Sequence, residues 1–183
     1  GSSESRDFVW QTGDKNDLRS LIEKNYLSSP AWRVRFSRFD DSIAVDERAE
    51  EYTVQVGQDK NAISFKHSLP EARTGASLTE DEARIIAHEV LKDGFHRNPE
   101  EFKEAMAEED KKPDRRDWRF EFSDTLNYPL EKGEARISVN INGDEASGYG
   151  KYVKTSEEWQ REQRDKRKIV GIVRSTCQTV EML

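Results

Sequence analysis

The sequence predicts an α+β protein of two tandem units, each a helix packed on an antiparallel sheet, with a further helix at its C-terminal end. Three observations predict it. The chain says nearly the same thing twice: residues 32–71 contain WRVRFS, EEYTVQV, AISFKH and LPE, and residues 118–158 contain WRFEFSD, GEARISVNI, a Tyr-rich run and TSEE. Trp32 and Trp118 lie 86 positions apart, Val54 and Val139 85, Glu71 and Glu157 86; a shared order of patterns at one offset marks a duplicated unit. These stretches alternate apolar and polar residues, the period of half-buried strands, and apolar residues at helical spacing precede each set.

The first helix is expected over Asp14 to Leu27, where Leu18, Leu21, Ile22 and Tyr26 form one apolar stripe, and Ser28-Ser29-Pro30 ends it. Trp32, Val34 and Phe36 then alternate with Arg33 and Arg35 as a strand with its charges in water. Tyr52, Val54 and Val56 repeat the alternation, and the Gly57 to Asn61 loop turns the chain into Ala62 to His67 as a hairpin. Leu69 to Ser77 is a connector, so the first unit covers residues 1–77.

The second unit, 78–156, opens on Thr79, which with Glu82 makes a capping box; Ala83, Ile86, Ala87, Val90 and Leu91 form one helical face, and Gly94 is the stop. The two helices lie about 64 residues apart and the strands 85 or 86, a difference of roughly 22 residues. A helical insertion near 98–117 accounts for it, starting at Asn98-Pro99 with Phe102, Ala105 and Met106 inward. Trp118-Phe120-Phe122 and Ala135-Ile137-Val139-Ile141 are strands, Asn142-Gly143 a hairpin turn, and Gly148-Tyr149-Gly150 a bulge or close backbone approach. The last helix, 157–183, starts after Thr155 and Ser156. Six basic residues against two acidic ones between Arg161 and Arg174 give it a local net of +4 before its apolar end from Ile169. Two readings fit that stretch: a solvated face of a long helix, or a juxtamembrane segment drawn to anionic headgroups.

Composition narrows the function. The chain has 183 residues, 37% charged and 33% hydrophobic, yet its eight Phe, four Trp and five Tyr argue against disorder. The net charge of −7 disfavours nucleic acid. Cys177 is the sole cysteine, which excludes an internal disulfide. No run of about 18 apolar residues is present. The Gly-Ser-Ser opening reads as an appended leader, and the apolar end fits either a natural terminus or a chain cut just before a membrane helix.

Catalytic chemistry is hard to find. His88-Glu89 begins like a metalloprotease helix, but Lys92 stands where the second His is needed, so no metal site is expected. His67 reads as a polar residue at a sheet edge. Glu80-Asp81-Glu82, Glu100-Glu101 and Glu157-Glu158 sit in first helical turns, where they complement the macrodipole. No nucleophile elbow, phosphate loop or dinucleotide fingerprint is present, and no cofactor is expected. The Trp residues of the strands read as core anchors, and Trp159 as packing the last helix onto the second sheet.

A helix on a three- or four-stranded antiparallel sheet is a cystatin-like or PepSY-like layout. The stretch HSLPEARTGASLTEDEARIIAHEVL, from His67 to Leu91, resembles one group of large membrane proteins, as do RDWRFEFSD from Arg116 and GEARISVNINGDEASGYGKYVKTSEEWQREQR from Gly133. In that group an extracytoplasmic region precedes a CAAX-processing and bacteriocin-processing (CPBP-type) intramembrane protease domain. Ser156 stands where the group has Pro. The resemblance implies a membrane helix before residue 1 and a protease domain after residue 183. The group's catalytic Glu-Glu pair with a following Arg is not here: Gln55 stands at the required place after Glu50-Glu51, and Glu162 after Glu157-Glu158.

The expectation is therefore a non-catalytic domain for sensing, substrate gating or protein interaction, membrane-anchored on the extracytoplasmic side. Its partner would be a peptide, a protein or its own protease domain, with the membrane adjacent through the last helix. Basic residues before Ile169 favour the cytoplasmic side and so pull against that placement. Candidate contacts are His67, Pro70, Glu71, Tyr149, Tyr152 and Trp159, at the two hairpin-to-helix junctions. The alternatives are a free-standing PepSY-like or cystatin-like inhibitor or binding module, and a hydrolase using His67 with Glu71.

Overall fold

The computed structural model describes residues 2–13, 15–24, 26–27, 31–39, 42, 49–57 and 60–180. Its elements in chain order are α1 (Ser2–Thr12), α2 (Lys15–Glu23), β1 (Trp32–Phe39), β2 (Ala49–Val56), β3 (Ala62–Ser68), α3 (Glu80–Asp93), a 3-10 turn (Pro99–Glu101), β4 (Lys103–Lys111), β5 (Arg116–Ser123), β6 (Glu134–Asn142), β7 (Glu145–Lys154) and α4 (Glu157–Val180). The fold is α+β, as the alternation and the helical stripes predict. All seven strands join one antiparallel sheet in the order β1-β2-β3-β7-β6-β5-β4.

One row of paired residues crosses every strand: Val34, Val54, Phe65, Tyr149, Val139, Phe120 and Ala107. Because side chains alternate with period two, this row and its neighbours define an apolar face. Over β5–β7 that face is covered. Trp118, Phe120, Phe122, Ile137, Val139 and Ile141 are buried with Ala83, Ala87 and Leu91 of α3. The small alanines let α3 lie close to the sheet. Its start is held as the sequence predicts, with Thr79 and Glu82 bonding each other's backbone, and Gly94 caps its end. Those bonds from the Thr79 backbone and hydroxyl hold the Glu82 carboxyl below its usual range.

Phe8 and Val9 of α1 are buried as well, and Ser5 donates to the Val153 carbonyl at 2.9 Å. The expected helix over Asp14 to Leu27 is corrected: regular helix spans only Lys15–Glu23, and a separate helix that the sequence reading did not anticipate, α1, precedes it from Ser2 to Thr12. Tyr26 and Leu27 are buried beyond the helix end, where Tyr26 donates to Asp124. Asp124 is itself fully buried and takes further bonds from Asn127 at 3.0 Å and Arg97 at 3.3 Å, so its charge is not left unpaired.

The largest correction concerns 98–117. No helix forms there. Asn98 and Glu101 complete a capping box around a single 3-10 turn, and the chain then runs as β4 along the edge of β5. Phe120 and Arg119 need an edge partner more than Ala105 and Met106 need a helix, so sheet pairing overrides local propensity. The hairpin from β6 to β7 turns on Gly143-Asp144, with Asn142 opposite Glu145. Gly143 has φ of +64°, and a Cβ there would meet the Ala76 nitrogen at 3.0 Å.

Candidate binding surfaces

The connector after β3 crosses one end of the sheet, and one side chain bonds three of its carbonyls. Arg115, only 4% exposed, donates to the carbonyls of Pro70 and Arg73 at 2.8 Å each and of Glu71 at 3.3 Å. Its Nε bonds Asp117 at 2.9 Å, and Asp117 also accepts the Gly143 backbone N–H at 3.1 Å. Trp118 Nε1 donates to the Leu78 carbonyl at 3.1 Å. The stretches that carry the resemblance, 67–91 and 116–124, thus meet here as scaffold. A polar groove of about 590 Å³ opens beside this clamp, lined among others by Lys66, Asp110, Lys112, Arg119, Asn140 and Asn142.

The six predicted contacts do not form one site. His67 and Glu71 line the groove, and Pro70 gives its carbonyl to Arg115. His67 is not at a sheet edge: β3 lies between β2 and β7. Its ring is 3% exposed, stacks on Tyr52 at 3.8 Å, and has Nδ1 2.8 Å from Glu145 and Nε2 2.8 Å from Glu50. Both nitrogens are therefore committed to carboxylates, and neither carboxylate is Glu71. Glu71 instead pairs with Lys112 at 3.1 Å, and Lys112 with Asp110 at 3.0 Å. These two acidic partners hold the Lys112 ammonium above its ordinary value.

Tyr149 lies in the apolar row, between Phe65 at 6.0 Å and Phe95 at 5.1 Å. Tyr152 is on the opposite, open face, in a chain of charges. Glu121 takes Arg119 and Arg136 at 2.7 Å each, and Arg136 reaches Glu134 at 2.6 Å. Partial burial and the bond to Glu121 push the Tyr152 hydroxyl up to about 12. Burial pushes Glu121 up too, but bonds from Tyr152 and Arg136 outweigh it and leave its carboxyl below the usual range. Trp159 is buried against Phe8 at 5.2 Å and donates to Gln11 at 3.2 Å, so it seats α4 on α1 rather than on the sheet.

The surface that sequence reasoning missed is on β1. Trp32 is 78% exposed and Phe36 62%, with Val34 and Tyr52 exposed beside them. The expectation that the strand Trp residues anchor the core holds for Trp118 and fails for Trp32. The reason is coverage: α3 packs on β5, β6 and β7, and α2 packs on α1. Among the described residues no strand pairs the outer edge of β1. A contiguous apolar face ending in an open strand edge is what interaction surfaces present.

No family model, no curated protein and no solved structure matches this chain. No described helix is long and apolar enough to cross a membrane.

Proposed function

We propose that this chain is a non-catalytic interaction domain, made of two cystatin-like or PepSY-like units set back to back. The observation that carries the interaction reading is the bare apolar face of Trp32, Val34, Phe36 and Tyr52, continuous with the core through Phe65 and Tyr149. A folded monomer gains nothing from leaving two large aromatics in water on one face of a strand.

Duplication is supported by register. Val34, Val54 and Phe65 pair across β1–β3 as Phe120, Val139 and Tyr149 pair across β5–β7, with α2 and α3 preceding the two sets. The two third strands meet at Phe65 and Tyr149, and a local two-fold between the two strand sets there fits this reading.

The setting follows from the resemblance in 67–91, 116–124 and 133–164: the extracytoplasmic region of a CAAX-type membrane protease, where such a domain senses or gates substrates. The hydrolase alternative loses its support, because His67 offers no free nitrogen.

The test is a panel of unrelated extended peptides titrated against the chain and a Trp32→Ser/Phe36→Ser variant, with circular dichroism to verify folding. Peptides that bind should do so at least tenfold more weakly to the variant. Equal binding throughout, or none, sinks the reading.

A further inference from the structure

We propose that the free edge of β1 binds an extended acidic segment of a partner, added as an antiparallel strand in the way β4 is added to β5. This rests on the interaction reading and names the partner's chemistry. The argument starts from the two equivalent edges. β1 opens WRVRFS and β5 contains WRFEFS, with Trp32 matching Trp118, Arg33 matching Arg119 and Val34 matching Phe120. The outer edge of β5 is occupied by β4, whose sequence KEAMAEEDK carries four acidic residues. Glu108 lies opposite Arg119, Ala107 opposite Phe120 and Glu109 opposite Trp118, and Glu109 also bonds Arg116 at 2.7 Å. The segment of roughly 22 residues by which the second unit exceeds the first is largely this strand with its turn. Among the described residues the first unit has no counterpart, and no strand pairs its edge.

Charge selects the occupant. Arg33 has no ion-pair partner among the described residues, and Arg35, 62% exposed, holds only Glu51 at 2.7 Å. Both point to the same face, while Trp32, Val34 and Phe36 point to the other. An added strand in the register of β4 sets Glu108 opposite Arg33, Ala107 opposite Val34 and Met106 opposite Arg35, so acidic charge meets Arg33 directly and flanks Arg35. A second copy of the chain is the wrong partner. Antiparallel pairing of β1 with itself about a two-fold sets odd residues against odd, so Arg33 and Arg35 fall opposite or diagonal to their own copies.

The probe is a labelled peptide with the sequence of Lys103–Lys111, titrated against the full chain at low and high salt. Controls are the same peptide with every Glu and Asp replaced by Lys, and one N-methylated on alternate residues. The acidic peptide should bind saturably, more weakly at high salt. Arg33→Glu/Arg35→Glu should raise its Kd about tenfold or more, and Arg33→Glu alone, which leaves the Arg35–Glu51 pair intact, by severalfold. N-methylation should abolish binding, since a strand joins through its backbone. Equal binding of the acidic and Lys-substituted peptides, or Kd unchanged in both variants, overturns the acidic partner while leaving the interaction reading standing. No binding of the acidic peptide, or a concentration-dependent dimer lost on Trp32→Ser, overturns it as well, the dimer giving the edge to a second copy.

Discussion

Phe65 and Tyr149 face each other across the seam between β3 and β7, ring centroids 6.0 Å apart, in the middle of the apolar row that crosses all seven strands. The seam is short: Phe65 with Tyr149 and Lys66 with Gly148 are its paired residues. Gly148 is needed there for closeness, since a Cβ would lie 3.1 Å from the Phe65 carbonyl oxygen and 3.4 Å from Asn140.

Gly148→Val is thus expected to part the seam, at about 1–3 kcal/mol of stability. Hydrogen exchange should quicken in β1–β3 while β5 and β6, held under α3, stay protected. Uniform acceleration over the whole sheet would contradict a locally weak seam.

Arg115 and Asp117 make the second prediction. Arg115→Met leaves Asp117 buried with only the Gly143 N–H against its charge, and should cost about 3–5 kcal/mol. Adding Asp117→Leu removes that stranded carboxylate, so the double variant should lose less than the two single losses summed. Denaturant unfolding of all four chains measures the coupling. Additive losses would mean that the pair acts separately on the connector.

How far the sequence reaches is clear from these elements. The alternation over Trp118–Phe122 and Ala135–Ile141 and the Thr79–Glu82 box are local signals, and the strands and α3 follow them. β4 carried no such signal. Lys103–Lys111 has good helix formers, and what makes it a strand is the unpaired edge of β5, a partner distant in fold rather than in pattern. Trp32 and Trp118 read identically for the same reason: burial depends on which helix lies above, which no alternation encodes. Within the groove, the Arg115-x-Asp117 spacing puts both side chains on one side of a strand start, a signal that was present and weak.

Alkaline pH gives the third prediction. The Tyr152 hydroxyl is pushed up to about 12 from an ordinary 10 by partial burial and by its bond to Glu121, and burial with the bond to Asp124 pushes Tyr26 further still. Both tyrosines are neutral in folded and unfolded chains below pH 10, so stability there is unaffected by either. As pH rises past 10 the unfolded tyrosines ionise first, and stability should fall. The share due to Tyr152 is complete near pH 12, at about 1–2 kcal/mol once solvent screening at this half-buried site is allowed for. Tyr152→Phe should flatten the decline between pH 10 and 12 without removing it, because Tyr26 remains. An unchanged slope would mean that neither burial nor the Glu121 bond holds the Tyr152 proton in the folded chain.

The last prediction separates the two halves of the apolar face. Trp118 is 8% exposed, stacks with Phe120 at 6.1 Å and bonds the Leu78 carbonyl, so Trp118→Ala should cost about 3–5 kcal/mol. Trp32 begins the equivalent strand and lies opposite Val56 as Trp118 lies opposite Ile141, but it is 78% exposed and no helix covers it among the described residues. Trp32→Ala should therefore change stability by no more than about 0.5 kcal/mol. Thermal unfolding of the two variants decides the matter. If Trp32→Ala costs as much as Trp118→Ala, the face over β1 is covered within the free chain, and it cannot be the surface left open for a partner.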